Sequence, residues 1–111
     1  MENIKEQTAI SAAVDRLWAQ YLPQMEERVT ALEVAAAAFA ANNLSITEHE
    51  AANAAAHKLA GILGTFGLTK GTVLARELEI MYSRENGPDS ALSAQLALLA
   101  AELRELVTNR K

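Results

Sequence analysis

The sequence predicts an all-α fold, an up-down-up-down four-helix bundle with an additional N-terminal covering helix. Apolar residues recur at three- and four-residue spacing along almost the whole chain of 111 residues, which is the period of an amphipathic helix. No segment shows the strict alternation of apolar and polar residues that is typical of a strand. The connections between the helical segments are short, which favours antiparallel neighbours. We therefore expect residues 1–111 to form a single helical domain.

Two helical stripes precede the central part of the chain. The first covers residues 3–21 and is followed by Pro23, which predicts a break because proline disfavours a helical conformation in the residue before it. The second begins after the proline and ends near Asn42-Asn43. The first helix is therefore expected to lie across the bundle as a cover. The stripes consist of Ile10, Val14, Leu17 and Tyr21 in the first helix and Met25, Val29, Leu32, Ala36 and Phe39 in the second.

The third helix is predicted to start at a capping box. Ser45 and Thr47 each have a glutamate three residues later, so either residue can begin the helix. Gly67 is well placed to end it, because glycine readily adopts the left-handed conformation that follows a helix. A fourth helix is expected over residues 70–84. The turn Asn86-Gly87-Pro88-Asp89 then leads to a last helix that its aspartate can cap. The apolar stripe of that helix is Leu92, Leu96, Leu99, Leu103 and Leu106.

The composition excludes several classes of function. The formal net charge is -4 and there is no basic cluster, so nucleic acid and anionic membranes are poor candidate partners. The absence of cysteine excludes disulfides and thiolate metal sites. No apolar run reaches the ~20 residues that a membrane-spanning helix needs, and the N-terminus lacks the pattern of a signal peptide. We expect a cytoplasmic, monomeric protein, and Met1 and the lack of a linker favour a free-standing one.

One histidine of the third helix stands out because the surface beside it carries no side chains. His57 and Gly61 lie roughly 140° and 180° around the helix from the centre of the apolar stripe, and Gly64 lies roughly 120° from it. These three residues are therefore predicted to face solvent. Each glycine costs a helix interior about 1 kcal/mol relative to alanine. The pattern indicates that a large partner approaches His57 closely. The stripe itself is Ala52, Ala56, Leu59, Leu63 and Phe66.

Four roles are open to His57. The glycines that follow it argue against an ordinary surface histidine. His49 lies roughly 80° around the helix, so the two histidines cannot easily share a metal ion, and structural zinc needs four ligands. A general base for hydrolysis lacks an obvious nucleophile, a pocket or a Gly-x-Ser-x-Gly turn. Nucleophilic catalysis by the imidazole is the fourth role, because histidine can form covalent intermediates and an exposed nucleophile can enter the active site of another protein.

A second feature is an apolar surface on the second helix, where Val34 and three alanines lie opposite the core stripe. Folding the second and third helices back about residues 44–45 sets His57 level with residues 32–33. Val34 is therefore expected beside the histidine. Two interpretations are open: the first helix covers this surface, or it is a docking patch for a partner.

The segment from Ala56 to Gly61, Ala-His-Lys-Leu-Ala-Gly, resembles the His-x-Leu-Lys-Gly motif of histidine-containing phosphotransfer (HPt) domains, and Gly64 and Gly67-Leu68 extend the likeness. The order of the helices is also similar. The resemblance implies that His57 accepts a phosphoryl group from an aspartyl phosphate on a response-regulator receiver domain, such as that of a hybrid histidine kinase. It would then pass the group to another receiver. Magnesium would belong to the receiver, and this chain would carry no cofactor and no autokinase activity.

The sequence departs from that motif at Ala60, where the family commonly has a lysine that can stabilise the phosphoryl charge. Lys58 is adjacent to His57 but lies roughly 100° around the helix. Installing lysine at position 60 is expected to leave the fold intact and either to speed transfer or to prolong the phosphorylated state. An alternative function is a non-catalytic helical adaptor that binds a receiver or another signalling partner through the same face. The expected docking residues are Val34, Lys58, Ala60, Gly61 and Gly64.

Overall fold

The computed structural model describes residues 2–83 and 90–110, and this part of the chain contains helices and no strand. Each helix packs against two neighbours: α1 and α3 each contact both α2 and α4, whereas the diagonal pairs make no close approach among the described residues. The predicted all-α four-helix bundle is confirmed. The predicted turn at residues 86–89, with its aspartate cap, lies outside the described residues. The helices are α1 (Glu2–Ala40), α2 (Ile46–Thr65), α3 (Thr69–Ser83) and α4 (Ser90–Asn109).

The helix α1 is continuous, so the predicted break at Pro23 and the separate N-terminal covering helix are wrong. A proline in a helix interior removes one hydrogen bond and costs about 3 kcal/mol. Pro23 is itself exposed, but Trp18 before it and Met25 and Val29 after it are buried in the same core. Burying one large apolar side chain contributes roughly 1.5–3 kcal/mol. The shared core on both sides of the proline therefore outweighs its local cost.

The N-terminal part of α1 projects beyond the bundle and does not lie across it. Between residues 9 and 17 no side chain is buried, and Ile10 is 63% exposed. The 39 residues of α1 correspond to about 58 Å of helix at ~1.5 Å per residue, which matches the 58 Å length of the molecule. This segment therefore does not cover the apolar surface around Val34, which is 59% exposed.

The core is formed by apolar side chains from all four helices. The predicted stripe of α2 is confirmed, because all of its members except the half-buried Phe66 are buried. No polar or charged residue is buried in the part of the chain that the structure describes. The large side chains that are fully shielded from solvent are Met25, Val29, Leu32, Leu59, Leu63, Leu78, Leu96, Leu103 and Val107.

The helix α2 begins and ends at residues predicted from the sequence. Ser45 is the N-cap: its Oγ accepts from the backbone N–H of Glu48 at 3.1 Å, and the Glu48 carboxylate accepts from the backbone N–H of Ser45 at 3.3 Å. Gly67 has a φ of 73°. The N–H of Leu68 then donates to the carbonyl of Leu63 at 3.0 Å, which completes a Schellman end. Local hydrogen bonds therefore fix both ends of the helix that carries His57.

The helices α2 and α3 form a closely packed antiparallel hairpin, joined by residues 66–68. A Cβ atom at Gly71 would lie only 3.0 Å from Cδ1 of Leu63, so the glycine permits the close approach of the two helices. The hydroxyl of Thr72 also donates to the carbonyl of Ala60 at 3.2 Å. In such a hairpin, residues equally far from the connection lie level with each other on the two helices.

Candidate functional site

His57 lies in the middle of α2 with 71% of its side chain exposed, as its position opposite the apolar stripe predicts. Gly61 and Gly64 are exposed as well. A Cβ atom at Gly61 would meet nothing within 4 Å, and one at Gly64 would make an ordinary contact of 3.4 Å with the hydroxyl of Thr72. The bare helical surface predicted beside the histidine is therefore present in the structure.

Glu79 of α3 orients the ring of His57. Its Oε2 atom lies 2.6 Å from Nδ1 of the histidine, and its side chain is 27% exposed. The side-chain amide of Asn53, one turn before His57, donates to the backbone carbonyl of Glu79 at 2.7 Å. An ionised carboxylate only accepts hydrogen bonds, so Nδ1 donates in this contact, and in the neutral imidazole the lone pair is then on Nε2. The two ring nitrogens point away from each other, which directs Nε2 away from α3.

Sequence reasoning missed the role of Glu79, although the sequence contains a signal for it. His57 and Glu79 are each eleven residues from Leu68, at the centre of the hairpin connection. A short connection between antiparallel helices places such equidistant residues level with each other. The pairing therefore follows from the predicted helix end at Gly67 once α2 and α3 are known to be in direct contact.

On the side away from Glu79, His57 borders an open groove of about 450 Å³ between α1 and α2. Aromatic rings shape one end of this groove: Phe66 makes edge-to-face contacts with Trp18 at 5.1 Å and with Tyr21 at 6.3 Å between ring centroids. The groove is lined by Tyr21, Arg28, His57, Lys58, Gly61, Ile62, Thr65 and Phe66.

The groove also carries positive charge on both of its walls. Arg28 comes from α1 and is half-buried, and Lys58 comes from α2 and is exposed. Sequence reasoning missed Arg28, because its position beside His57 depends on how α1 packs against α2. His57 thus lies between a carboxylate on α3 and a basic groove on its α1 side. This arrangement suits an imidazole that reacts with an anionic group.

The family model described as Hpt domain matches residues 16–109. The chain belongs to the Hpt domain family. The match includes His57, Glu79 and Arg28. Hpt domains carry out histidine phosphotransfer in phosphorelays, and they interact with the receiver domains of response regulators. Comparisons with curated proteins and with solved structures gave no match.

In this Hpt domain the residues predicted for partner docking do not all share one surface. Lys58, Gly61 and Gly64 are exposed around His57. Ala60 was expected among them, but it is only 3% exposed, because its side of α2 is packed into the core where α3 lies. Val34 is exposed on α1 but does not line the groove. The exposed face of α2 is narrower than the sequence predicted, because α1 and α3 pack against two sides of this helix.

The second histidine of the Hpt domain lies in a different environment. His49 is half-buried, and its ring lies edge-to-face with the ring of Tyr82, with 5.6 Å between the ring centroids. Among residues 2–83 and 90–110, no group of three or more His, Cys, Asp and Glu residues could hold a metal ion. None of the helices described here is both long and apolar enough to cross a membrane.

Proposed function

We propose that this Hpt domain is a phosphorelay intermediate that accepts a phosphoryl group on Nε2 of His57 from the aspartyl phosphate of one receiver domain and passes it to the aspartate of another. The contact of 2.6 Å between His57 and Glu79 supports this proposal most strongly. It holds an exposed imidazole in one tautomer and leaves its other nitrogen free. Phosphoryl transfer depends mainly on positioning and electrostatic stabilisation, and this contact supplies both.

In the accepting step, the lone pair of Nε2 attacks the phosphorus atom of the aspartyl phosphate. The Nε2–P bond forms while the bond from phosphorus to the aspartate oxygen breaks, and the aspartate leaves as a carboxylate. Nε2 carries no proton before the attack, so none has to be removed. The ring retains the hydrogen on Nδ1, and the positive charge that develops on it lies beside the Glu79 carboxylate, which stabilises it. The same steps in reverse deliver the phosphoryl group to the second receiver.

The surroundings of His57 suit a reaction that takes place inside the partner's active site. A magnesium ion bound by the receiver would neutralise charge on the phosphoryl oxygens. This chain presents the nucleophile from a bare helical surface at Gly61 and Gly64, which lets the loops of the receiver approach closely. Lys58 lies beside this surface, whereas Val34 offers a separate exposed apolar contact on α1. One copy of the chain is sufficient for such a relay, and no nucleotide site is needed on it.

The experiment that tests the proposal mixes the protein with a receiver domain carrying a radiolabelled phosphoryl group. We expect the chain to acquire an acid-labile, base-stable label. His57→Gln should abolish the label while changing the free energy of unfolding by less than ~0.5 kcal/mol, because position 57 is exposed. His49→Gln is the matched control and should still be labelled. Labelling that persists in His57→Gln, or that is lost only in His49→Gln, would contradict the assignment.

The second candidate function is a non-catalytic adaptor that binds the receiver through the same face. The 59% exposure of Val34 favours it, since an exposed apolar surface can support binding without chemistry. An adaptor would bind the receiver with the same affinity before and after His57→Gln and would acquire no phosphoryl label. The labelling experiment therefore separates the two candidates when receiver binding is measured in parallel.

A further inference from the structure

We infer that Arg28 binds the phosphoryl group carried by His57, so that the groove between α1 and α2 is an anion site for the group during transfer. This inference rests on the proposed function, because it requires phosphorylation of His57 at Nε2. It assigns a role to a residue outside the helix that bears the histidine.

The geometry of the groove places the two residues in one cavity. His57 and Arg28 both line the groove of about 450 Å³, the first from α2 and the second from α1. Glu79 holds Nδ1 of His57 at 2.6 Å on the α3 side, so Nε2 is directed away from α3. A phosphoryl group on Nε2 therefore adds up to two negative charges on the groove side of the ring.

The guanidinium of Arg28 has an unpaired nitrogen among the residues that the structure describes. Its Nε atom is shielded from solvent and makes no hydrogen bond, and leaving a buried N–H group unpaired is unfavourable. No ion pair joins Arg28 to any other residue within the described ranges, whereas Arg104 and Arg110 each pair with a carboxylate. A phosphoryl oxygen is the acceptor that this guanidinium lacks. The planar fork of arginine also matches phosphate oxygens in a bidentate geometry.

The other candidates for this role on α2 are less suitable. Ala60 has no charge, and its side chain is buried. Lys58 lines the same groove but is exposed, and a strongly hydrated ammonium offers a point charge without the fork. Lys58 is therefore the matched control for Arg28: it has the same charge and lies in the same groove, on the opposite wall.

The test uses the full chain without any receiver, phosphorylated chemically with potassium phosphoramidate and observed by ³¹P NMR during a pH titration. A cation close to the phosphoryl group favours its dianionic form. We expect the second ionisation of the phosphoryl group to move about one pH unit higher in Arg28→Gln than in the wild type. Arg28→Lys should show only part of this upward shift, because lysine keeps the positive charge, and Lys58→Gln should show less than half of it. His57→Gln identifies the resonance by removing it.

Two results would overturn the inference: a titration in Arg28→Gln identical to that of the wild type, or an equal shift in Lys58→Gln, which would reflect net charge alone. If Arg28→Gln does not fold, the ¹⁵Nε resonance of Arg28 in the wild type replaces it as the readout. That resonance should move on phosphorylation, and an unchanged resonance would contradict the contact. Failure of the proposed relay function would be distinguishable from this. In that case a phosphorylated receiver would transfer no label to the chain, while the ³¹P shifts of the chemically phosphorylated protein would persist.

Discussion

Glu79 of α3 holds Nδ1 of His57 at 2.6 Å, so the nucleophile of α2 is oriented by the neighbouring helix. The hydrogen bond of 2.7 Å from Asn53 to the backbone carbonyl of Glu79 ties the two helices together one turn away. An exposed side chain otherwise samples several rotamers, and ordering it at an interface costs about 0.5–1.5 kcal/mol. In this protein the contact with Glu79 favours one orientation of the ring before a partner binds.

Removing the charge of Glu79 should slow phosphoryl transfer. In Glu79→Gln the amide can no longer neutralise the charge that develops on the imidazole, and it can also stabilise the opposite tautomer by donating to Nδ1. We expect the transfer rate from a phosphorylated receiver to fall about tenfold, which corresponds to ~1.4 kcal/mol in the activation free energy. Rapid-quench kinetics measure the rate, and the ¹⁵N chemical shifts of the ring report the tautomer.

The control for this variant is Glu77→Gln, which removes an exposed carboxylate from the same helix without touching the His57 contact. It should leave both the rate and the ring resonances unchanged. If Glu79→Gln transfers at the wild-type rate, or if Glu77→Gln slows transfer equally, the orienting role of Glu79 is wrong.

Adding a side chain at position 61 should slow phosphoryl transfer without lowering the thermal stability. A Cβ atom there meets nothing within 4 Å, so Gly61→Gln should preserve or raise the thermal stability, since glycine in a helix interior costs up to ~1 kcal/mol. The same side chain should hold the loops of the receiver away from the helix. A placement error of ~1 Å can reduce a rate about a hundredfold, and we expect a loss approaching that size.

Ala94→Gln is the matched control for Gly61→Gln, because it adds the same side chain at an exposed position of α4, a helix that does not contact α2. This control should alter neither the thermal stability nor the transfer rate. Unfolding of Gly61→Gln would assign the glycine to helix packing, and unchanged transfer would mean that the partner does not approach over this face.

The structure changes the expected outcome of placing lysine at position 60. The sequence predicted an intact fold, but Ala60 is 3% exposed, and overpacking a core position costs about 1–3 kcal/mol. We expect Ala60→Lys to lower the free energy of unfolding by that amount in a denaturant titration. Gly61→Lys, one residue further along α2 at an open position, is the control and should preserve or raise the stability. Equal stability of the two variants would contradict this expectation and would mean that the lysine side chain extends along the helix surface to solvent.

The ion pair between α1 and α4 predicts a pH-dependent contribution to stability. The hydrogen bond from Arg104, with an N···O distance of 2.6 Å, lowers the pKa of the Glu33 carboxyl below its ordinary value of 4.5. A carboxyl with a lower pKa in the folded state stabilises that state above the unfolded pKa, and the contribution disappears as the pH falls through the folded pKa. Glu33→Gln should therefore be less stable than the wild type at pH 7, by up to ~1 kcal/mol for a partly exposed pair.

The measurement for this pair is the difference in free energy of unfolding between Glu33→Gln and the wild type at several pH values. The difference should be constant from neutral pH down to about 5, shrink from about 4.5 downward, and vanish at still lower pH. Glu105→Gln, at an exposed carboxylate of α4 that forms no ion pair with the described residues, should show no such trend. A difference that is independent of pH would contradict the assignment.

The sequence by itself determined the features of this protein that depend on local hydrogen bonds and helical period. Ser45 begins α2 through its own side chain, and Gly67 ends it through its own backbone conformation. The exposure of His57 follows from its angle to an apolar stripe on the same helix. Such interactions join residues within about one or two turns of each other, so the order of residues along the chain is sufficient to predict them.

The tertiary structure alone decided which helices are in contact and which of their faces pack together. Burial on both sides of Pro23 overrides a local signal for a break, because several buried side chains contribute more than one proline costs. The partners of His57 come from other helices: Glu79 lies 22 residues away in sequence, and Arg28 belongs to α1. Ala60 is buried because α2 is packed on two sides. Each of these outcomes depends on which helices pack together, which no helical period within a single segment specifies.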